Sequence, residues 1–359
     1  MSSPLITVCI PVYCTEQYLA DCLRSVYTQD FADFEVVVVS DRSPGKDEAG
    51  RSAKKLVKLA QKESDRWRKE HGLPAVKIRF VEHRENRGCV EVRRTLVYES
   101  QGKYLAMIDS DDEYMEGALT ALYQAALSYD ADIVHGTFVS GEYDKDGIFH
   151  ATAETKCGRI FYGTKEGLEI ARSWFGGLYN GNVCGKLIER TVYEKAFEQI
   201  PYTECNMADD LLIFFFVGMN ARRYVGIENK VYRYRINSGM SSHRKIDTLK
   251  KWKMICTSSS VFSIISQWLK ENNSPLSAPD GATQCHSGLD PEPLLSATDI
   301  EHLGKVTLSY LANNIRQLRA SVIPELQEDA KLMLYDFWGE SFVKKVENAL
   351  DDIDYRGNL

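Results

Sequence analysis

The stretch Tyr104-Leu-Ala-Met-Ile-Asp-Ser-Asp-Asp112 places three carboxylates directly after five apolar residues. The apolar run predicts a buried strand, and the carboxylates follow where that strand ends. Side chains two apart on an extended backbone point the same way, so Asp109 and Asp111 face one place. Clustered carboxylates repel one another and lose solvation, and a divalent cation relieves both costs. Hard oxygen ligands favour Mg²⁺ or Mn²⁺, whereas the plainer interpretation is an acidic loop that leads into the next helix.

Three earlier apolar runs, at residues 5–10, 34–39 and 76–81, are separated by segments with helical spacing. Strands that alternate with helices predict an α/β fold with an open, mostly parallel sheet. Ligands bind such sheets at the carboxyl ends of the strands, and polar residues follow each run here. The chain has neither GxGxxG after the first run nor GxxxxGK followed by Ser or Thr. Dinucleotide binding and P-loop chemistry therefore lose their usual support.

The composition indicates a soluble globular protein of about two domains. The 359 residues are 44% hydrophobic and 26% charged, and the formal net charge is −7. A mildly acidic chain is a poor candidate for nucleic-acid binding, so no nucleic-acid partner is expected. The nine cysteines form no CxxC pair, which indicates reduced thiols in the cytoplasm. The first residues show no signal-peptide pattern, and the apolar run 211–219 is too short to span a bilayer.

Five segments in chain order resemble the family-2 glycosyltransferases, which have the GT-A nucleotide-sugar-binding fold. The resemblance covers the first 115 residues or so, and it has departures: Cys14 stands for the usual Asn, and Val92 and Arg94 stand for Ala and Asn. The segments are Val8-Cys-Ile-Pro-Val-Tyr-Cys-Thr-Glu-Gln-Tyr-Leu19, Cys22-Leu-Arg-Ser-Val26, Glu35-Val-Val-Val-Val-Ser-Asp-Arg-Ser43, Asn86-Arg-Gly-Cys-Val-Glu-Val-Arg-Arg94 and Ile108-Asp-Ser-Asp-Asp112.

The resemblance implies a GT-A, Rossmann-like sheet that is mostly parallel and flanked by helices. It implies inverting, metal-dependent transfer from a nucleoside diphosphate sugar, a UDP-sugar by preference, to a glycan or lipid-linked saccharide in surface polysaccharide synthesis. Residues 1–115 would bind the nucleotide sugar, and residues 116–244 would bind the acceptor and hold the catalytic base. Residues 245–359 are expected to form a helical C-terminal extension with a loop at about 272–297.

The resemblance also implies a role for each matching residue of the donor site. Nucleotide-binding residues would wall the base, accept a hydrogen bond from it, or contact the ribose and phosphates. The metal ligands would be Asp111 first, then Asp109, which also contacts the ribose, and His243, which also suits phosphate contact. The expected nucleotide-binding residues are Pro11, Tyr13, Glu16, Asp41, Arg93, Asp109, Ser110 and Arg235.

The acceptor hydroxyl needs a base, and Asp209-Asp210 before an apolar run resembles the family's Glu-Asp pair. Asp209 stands for the Glu and is one methylene shorter. Asp210 aligns with the aspartate that removes the acceptor proton in the family. The alternative is that the aspartate pair before an apolar helix only starts and caps that helix. Both can hold, with Asp209 as the cap and Asp210 as the base.

Two other functions stay open at the level of sequence. One is a nucleotide-binding scaffold that has lost turnover, which Asp210 would distinguish. The other is a sugar-phosphate nucleotidylyltransferase, which expects a Gly-rich basic loop where residues 12–16 stand here. The partly basic amphipathic segment 245–270 suits packing on the catalytic domain, a homodimer, or contact with the inner face of the plasma membrane.

Overall fold

The computed structural model describes residues 3–152, 158–236, 238, 245–273 and 293–357. The first third of the chain alternates strands with helices, as the spacing of its apolar residues predicts. The elements are β1 (Ile6–Val12), α1 (Glu16–Tyr27), β2 (Phe34–Ser40), α2 (Ala53–Glu70), β3 (Ile78–Glu82), α3 (Cys89–Glu99) and β4 (Tyr104–Met107).

Strands β3, β2, β1 and β4 lie side by side in that order and run parallel. On β1, Ile6 pairs with Phe34 of β2 on one side and with Tyr104 of β4 on the other. Because the starts of these strands are level, their carboxyl ends reach the same edge of the sheet. The polar residues that follow the strands therefore meet at that edge.

The parallel strands are buried on both faces, which explains why they read as continuous apolar runs. α1 packs through Leu19, Leu23 and Val26, which follow helical spacing. α2 buries one cation, Arg68, whose guanidinium donates hydrogen bonds to the backbone carbonyls of Tyr27, Gln29, Phe31 and Pro74. Carbonyl oxygens thus satisfy this buried charge in place of a carboxylate.

The middle third extends the sheet with strands of both directions. β6 and β10 run parallel to each other, whereas β9 is antiparallel to both β4 and β6. The elements are β5 (Glu113–Tyr114), α4 (Ala118–Tyr129), β6 (Ile133–Tyr143), β7 (Phe149–Ala151), β8 (Gly163–Glu166), α5 (Glu169–Phe175), β9 (Lys186–Glu189), α6 (Arg190–Gln199), α7 (Asp209–Asn220) and β10 (Arg223–Arg235).

The predicted α/β class, with a largely parallel central sheet between helices, is confirmed. The spacing of apolar residues also predicts a helix over residues 165–174, and this prediction is wrong in its first part. Residues of β8 pair there with β10 in the antiparallel direction, and α5 begins only at Glu169. Pairing with a strand 60 residues away decided that conformation, and local spacing carried no sign of it.

The chain divides into two compact units. The first contains Met1–Glu204 and Ile213–His243, which hold the whole sheet. The second contains Cys205–Leu212 and Arg244–Leu359. The predicted boundary between residues 115 and 116 within the catalytic domain stays a prediction.

The second unit is built from helices, named here α8 (Leu249–Cys256), α9 (Ser258–Asn272), α10 (Ala297–Ser321), α11 (Gln327–Trp338) and α12 (Glu340–Gly357). Its core contains Trp252, Leu311, Leu334 and Val343. The indole N–H of Trp252 donates to the Ala330 carbonyl at 2.7 Å, so this large side chain is buried without an unsatisfied donor.

Most of the predicted loop at 272–297 lies outside the described residues. α10 begins at its end with a capping box, in which Ser296 and Asp299 exchange side-chain and backbone hydrogen bonds. Within the described part of the chain, no helix is both long and apolar enough to cross a membrane.

Candidate active site

The acidic segment after β4 forms a tight turn, in which the Asp112 amide donates to the Asp109 carbonyl at 3.0 Å. This turn buries Asp112, which is 2% exposed. One Asp112 oxygen accepts from the Tyr232 hydroxyl at 2.8 Å, and the other accepts from the Arg235 amide at 2.8 Å. Asp112 thus ties the acidic turn to β10 and is turned away from solvent.

Burial and neighbouring negative charge raise the pKa of two carboxyl groups of this turn, Asp112 and Asp111. Burial raises the pKa of Asp112 well above its usual range, and the charges of Asp111 and Asp109 add to the effect. Burial also raises the pKa of Asp111, again with a contribution from Asp109. The cluster therefore stores electrostatic repulsion that a nearby positive charge would relieve.

Arg93 supplies one such positive charge from α3. Its guanidinium lies 3.1 Å from an Asp109 carboxylate oxygen, and the residue is only 6% exposed. The Asp109 amide donates to the Tyr232 hydroxyl at 3.1 Å, so Tyr232 contacts both ends of the acidic turn. The structure thus brings the predicted nucleotide-binding residues Arg93 and Asp109 together.

Asp111 and Ser110 point to different neighbours. The Ser238 hydroxyl donates to an Asp111 oxygen at 2.7 Å. Ser110 is buried, and its hydroxyl lies 2.6 Å from that of Thr15 at the start of α1. Ser110 therefore links the acidic turn to the end of β1, and its predicted contact with the nucleotide stays a prediction.

Arg235 is enclosed by the protein. Its guanidinium lies over the rings of Tyr18 and Tyr143, at 4.7 and 4.3 Å from their centroids. It donates to the Asp111 carbonyl at 3.1 Å and to Glu113 at 3.3 Å. The Arg235 guanidinium, which is predicted to contact the donor phosphates, is therefore occupied in holding the acidic turn.

Asp41 is likewise enclosed. Its carboxylate accepts from the amides of Arg87 and Gly88, both at 2.9 Å, and lies 2.7 Å from the His83 ring. Asp41 thereby fixes the turn between β3 and α3, where Asn86 also donates to its carbonyl. Its predicted bond to the nucleobase stays a prediction, since three of its acceptor positions serve the protein.

Pro11 and Tyr13 at the end of β1 are half-buried, and their predicted contact with the base stays a prediction. Cys14 follows at φ 57°, a left-handed conformation that the family's asparagine adopts more readily. Its side chain is exposed, and its amide donates to the Ser43 hydroxyl at 2.8 Å. The cysteine therefore keeps the loop geometry in spite of its side chain.

Glu16 is the unusual group of this region. It is 2% exposed, and neither carboxylate oxygen has a hydrogen-bond partner in the structure. A β-carbon added to Gly45 would lie 1.9 Å from one of these oxygens, so the loop after β2 passes directly over the carboxylate. Both Glu16 oxygens could therefore accept hydrogen bonds from a ligand, which is the role predicted for Glu16 toward the base or ribose.

Asp209 and Asp210 begin α7 and belong to the second compact unit. The cap is neither of them. Ala208, at φ 64°, accepts the first helical hydrogen bond from the Leu212 amide at 3.1 Å. The interpretation of Asp209 as the helix cap is therefore wrong, because the capping position precedes it by one residue. Both aspartates lie in the first turn, where negative charge is favoured.

Asp109 and Asp111 fit a divalent cation in chemistry and exposure, because both are partly exposed carboxylates and the Asp109 charge raises the pKa of Asp111. His243, the third predicted ligand, lies outside the described residues. In the ranges that the structure covers, no three His, Cys, Asp or Glu side chains are arranged to hold a metal ion. A complete shell would thus need oxygens from the donor phosphates.

Three residues of this site were not predicted from the sequence, namely Tyr232, Glu113 and His83. Tyr232 and Asp112 are 120 positions apart, and His83 and Asp41 are 42 apart. Glu113 accepts from Arg233 at 2.9 Å and from the Tyr143 hydroxyl. The one sequence feature that could have indicated these contacts is the run Tyr-Arg-Tyr-Arg at 232–235. On a strand, its tyrosines point to one face of the sheet and its arginines to the other.

Comparison with known proteins gives a family match. The family model described as Glycosyl transferase family 2 matches residues 7–197, slightly more than half of the 359 residues. Glycosyltransferase GlyA of Streptococcus pneumoniae is 27% identical over 248 residues, which cover 66% of this chain but 31% of GlyA. Glycosyltransferase GlyG of the same organism is 24% identical over 247 residues, covering 68% of this chain and 75% of GlyG. The chain thus spans less than a third of GlyA's length.

Among solved structures, TarS 1-349 of S. aureus in complex with UDP-GlcNAc is similar with a TM-score of 0.50 and 16% identity. The match covers 95% of this chain and 92% of the TarS chain. The likeness is one of fold, and the GT-A class expected from the sequence is confirmed.

Proposed function

This chain belongs to glycosyl transferase family 2, and we propose that it transfers a sugar, with inversion, from a UDP-sugar to a glycan or lipid-linked saccharide in surface polysaccharide synthesis. The observation that carries the proposal is the ion pair of Arg93 with Asp109 beside Asp111, at the edge where β1 and β4 end. UDP is the first donor nucleotide to test, because the TarS chain with the same fold was solved with UDP-GlcNAc.

In this proposal the donor nucleotide binds along the ends of β1 and β4. Pro11 and Tyr13 contact the base, and the unused acceptor oxygens of Glu16 receive a hydrogen bond from the base or ribose. Asp109 contacts the ribose, while Arg93 keeps its carboxylate in place. Asp41 and Arg235 then act by holding the loops around the nucleotide, as their protein contacts indicate.

Asp111 and Asp109 would hold a divalent cation, with the donor phosphates completing its shell. When bound, such an ion neutralises charge on the departing diphosphate. The chain's own contribution is to orient these carboxylates, through Ser238 on Asp111 and through Arg93 on Asp109. Asp111→Ala is expected to abolish the Mn²⁺-dependent gain in UDP affinity measured by calorimetry. Wild-type affinity in that variant would contradict the metal assignment.

The transfer step needs a base for the acceptor, and we assign this role to Asp210. The acceptor oxygen forms a bond to the anomeric carbon from the face opposite the diphosphate, the bond from that carbon to the diphosphate oxygen breaks, and the acceptor proton goes to the carboxylate. Such general-base catalysis contributes about 10²–10⁴-fold. Asp209 beside it would orient the base or the acceptor.

The decisive experiment measures nucleotide release with UDP-, GDP- and dTDP-sugars, with and without Mn²⁺. Wild-type chain is expected to release UDP, and Asp210→Asn is expected to be slower by about 10²-fold or more. Asp336→Asn, which changes an exposed carboxylate of α11, is the matched control and should keep wild-type rates. UDP binding without release from any donor would support a scaffold that has lost turnover.

The place of the reaction is also part of the proposal: the cytoplasm, at the inner face of the plasma membrane, with the helices of residues 245–359 as the surface for lipid contact or for a second copy. Full-length chain should float with vesicles that contain anionic lipid, and light scattering should give its mass. Failure to float excludes membrane contact, and a monomer mass excludes the homodimer.

A further inference from the structure

The segment before α7 is joined to the C-terminal helices. Cys205–Leu212 falls in the same compact unit as residues from Arg244 onward, although more than 30 residues of the other unit intervene. The Asn206 amide donates to the Thr257 hydroxyl at 3.2 Å. The Cys205 thiol, whose nearer acceptor is the Met207 carbonyl at 3.0 Å, also lies 3.7 Å from the Thr257 carbonyl. One threonine thus holds the backbone that leads into Asp209 and Asp210.

Thr257 is itself fixed in place. It separates α8 from α9, and its hydroxyl donates to the Met254 carbonyl. The next residue, Ser258, is buried and accepts from the Asn314 amide of α10 at 3.1 Å. Thr257 therefore belongs to a rigid junction of three helices.

Tyr310 lies on α10 one turn before Asn314. Its ring packs against Phe262 of α9, with centroids 5.4 Å apart. Burial, with smaller contributions from the charges of Asp210, Asp209 and Cys205, raises the pKa of Tyr310 to about 12. The phenol therefore stays protonated at neutral pH and lies within electrostatic reach of the two aspartates.

The segment that is held in this way has a strained backbone. Ala208 has φ 64°, a conformation that costs a residue with a β-carbon free energy and persists where its surroundings enforce it. Ala208 follows Asn206 by two residues, so it lies directly after the backbone that Thr257 holds. The strained residue Ala208 and the attached residues Cys205 and Asn206 thus all lie just before the two aspartates.

We propose that Thr257 and Tyr310 are positioning residues that hold Asp210 in the orientation needed to remove the acceptor proton. This gives the C-terminal helices a part in the reaction beyond packing. The inference rests on the proposed function, in which Asp210 is the base.

The test compares two variants with two matched controls. Thr257→Val removes the hydroxyl that accepts from Asn206, and Thr248→Val removes one that accepts from the Lys251 amide at the start of α8. Tyr310→Phe removes the hydroxyl near the aspartates, and Tyr335→Phe removes one from α11. Each pair loses the same atoms from the same helical unit.

We expect Thr257→Val and Tyr310→Phe to lower kcat by about 10- to 100-fold, because misorientation of a base has effects of that size, while the donor KM changes by less than about twofold. The controls should keep wild-type kcat. In Tyr310→Phe the acid limb of kcat should move up by about one pH unit, because a hydroxyl donor favours the ionised carboxylate. Hydrogen exchange of amides 206–212 should be faster in Thr257→Val than in Thr248→Val.

The outcomes separate the inference from the function on which it rests. An active wild type with equal kcat in all four variants, or an unmoved acid limb and unchanged exchange, overturns the positioning role and leaves the proposed function intact. A wild type with no transfer from any donor overturns the proposed function and the positioning role with it. Low kcat in the two variants with unchanged donor KM supports both.

Discussion

Replacing Tyr232 by Phe tests how the acidic turn is held. Tyr232 is fully buried, donates to Asp112 at 2.8 Å and accepts from the Asp109 amide at 3.1 Å. Phenylalanine keeps the ring and its packing against Tyr114, whose centroid lies 6.0 Å away. The substitution therefore removes two hydrogen bonds and little else.

The expected cost follows from the groups left behind. A buried acceptor and a buried amide each lose a partner, at about 1–3 kcal/mol each, which makes the total about 2–6 kcal/mol at neutral pH. Tyr114→Phe is the matched control in the same cluster. It removes one bond to the neutral Met107 carbonyl at 3.2 Å and should cost about 1 kcal/mol.

The cost should depend on pH. Burial raises the pKa of Asp112 well above its usual range, whereas the bond from Tyr232 lowers it, so Tyr232→Phe raises it further. Stability associated with a raised carboxyl pKa is present at low pH and is lost as pH rises through the folded-state value. The variant should therefore lose less at low pH, where Asp112 is protonated and mainly the Asp109 amide is left without its partner, than above the pH at which wild-type Asp112 ionises.

Urea unfolding followed by circular dichroism at several values between pH 4.5 and 8 gives the difference in unfolding free energy. The Tyr114→Phe difference should stay constant over this range. A Tyr232→Phe difference that is equally large at both ends, or no larger than that of the control, would refute the electrostatic account of the turn.

Three further predictions concern the donor pocket. Arg93→Met removes the ion pair with Asp109 and should weaken UDP binding by about tenfold in calorimetry; unchanged affinity would contradict the pairing. Gly45→Ala places a β-carbon 1.9 Å from Glu16, so the carboxylate must move, and UDP affinity should fall while far-UV dichroism stays the same. In Asp41→Asn the side chain cannot accept hydrogen bonds from both backbone amides of the β3–α3 turn, so the free energy of unfolding in urea should fall by about 2–4 kcal/mol. If Asp41 served only to bind the base, the variant would lose UDP affinity and keep its stability.

The parallel part of the fold follows from local sequence. The runs in β1 and β2 are apolar on both faces, so strand positions and the ligand-binding edge could be predicted, although β1 continues through Pro11 to Val12. The acidic segment 109–112 could also be identified as a candidate site, because a cluster of carboxylates after a buried strand has few purely structural explanations.

The remaining features depend on distant partners. β8 reads as helix until its pairing with β10 is known, and Tyr232 has no sign in the sequence of its bond to Asp112. The residue types at the start of α7 also led to a wrong prediction of its cap. Ala208 occupies the capping position, although aspartate, the residue type at the next two positions, is preferred there. Tertiary contacts, which outweigh propensities of a few tenths of a kcal/mol, decided these places.

The exposed side chain of Cys14 makes the loop between β1 and α1 accessible to thiol-specific labelling. Among the cysteines that the structure describes, Cys89 is partly covered and the others apart from Cys14 are buried. With Cys157 and Cys285 replaced by serine, a maleimide fluorophore would attach chiefly at this one thiol of the native protein. The dye would then stand next to Tyr13 and Ser43, and if the donor binds in the proposed site, its emission is expected to register donor arrival and departure in real time without a labelled sugar.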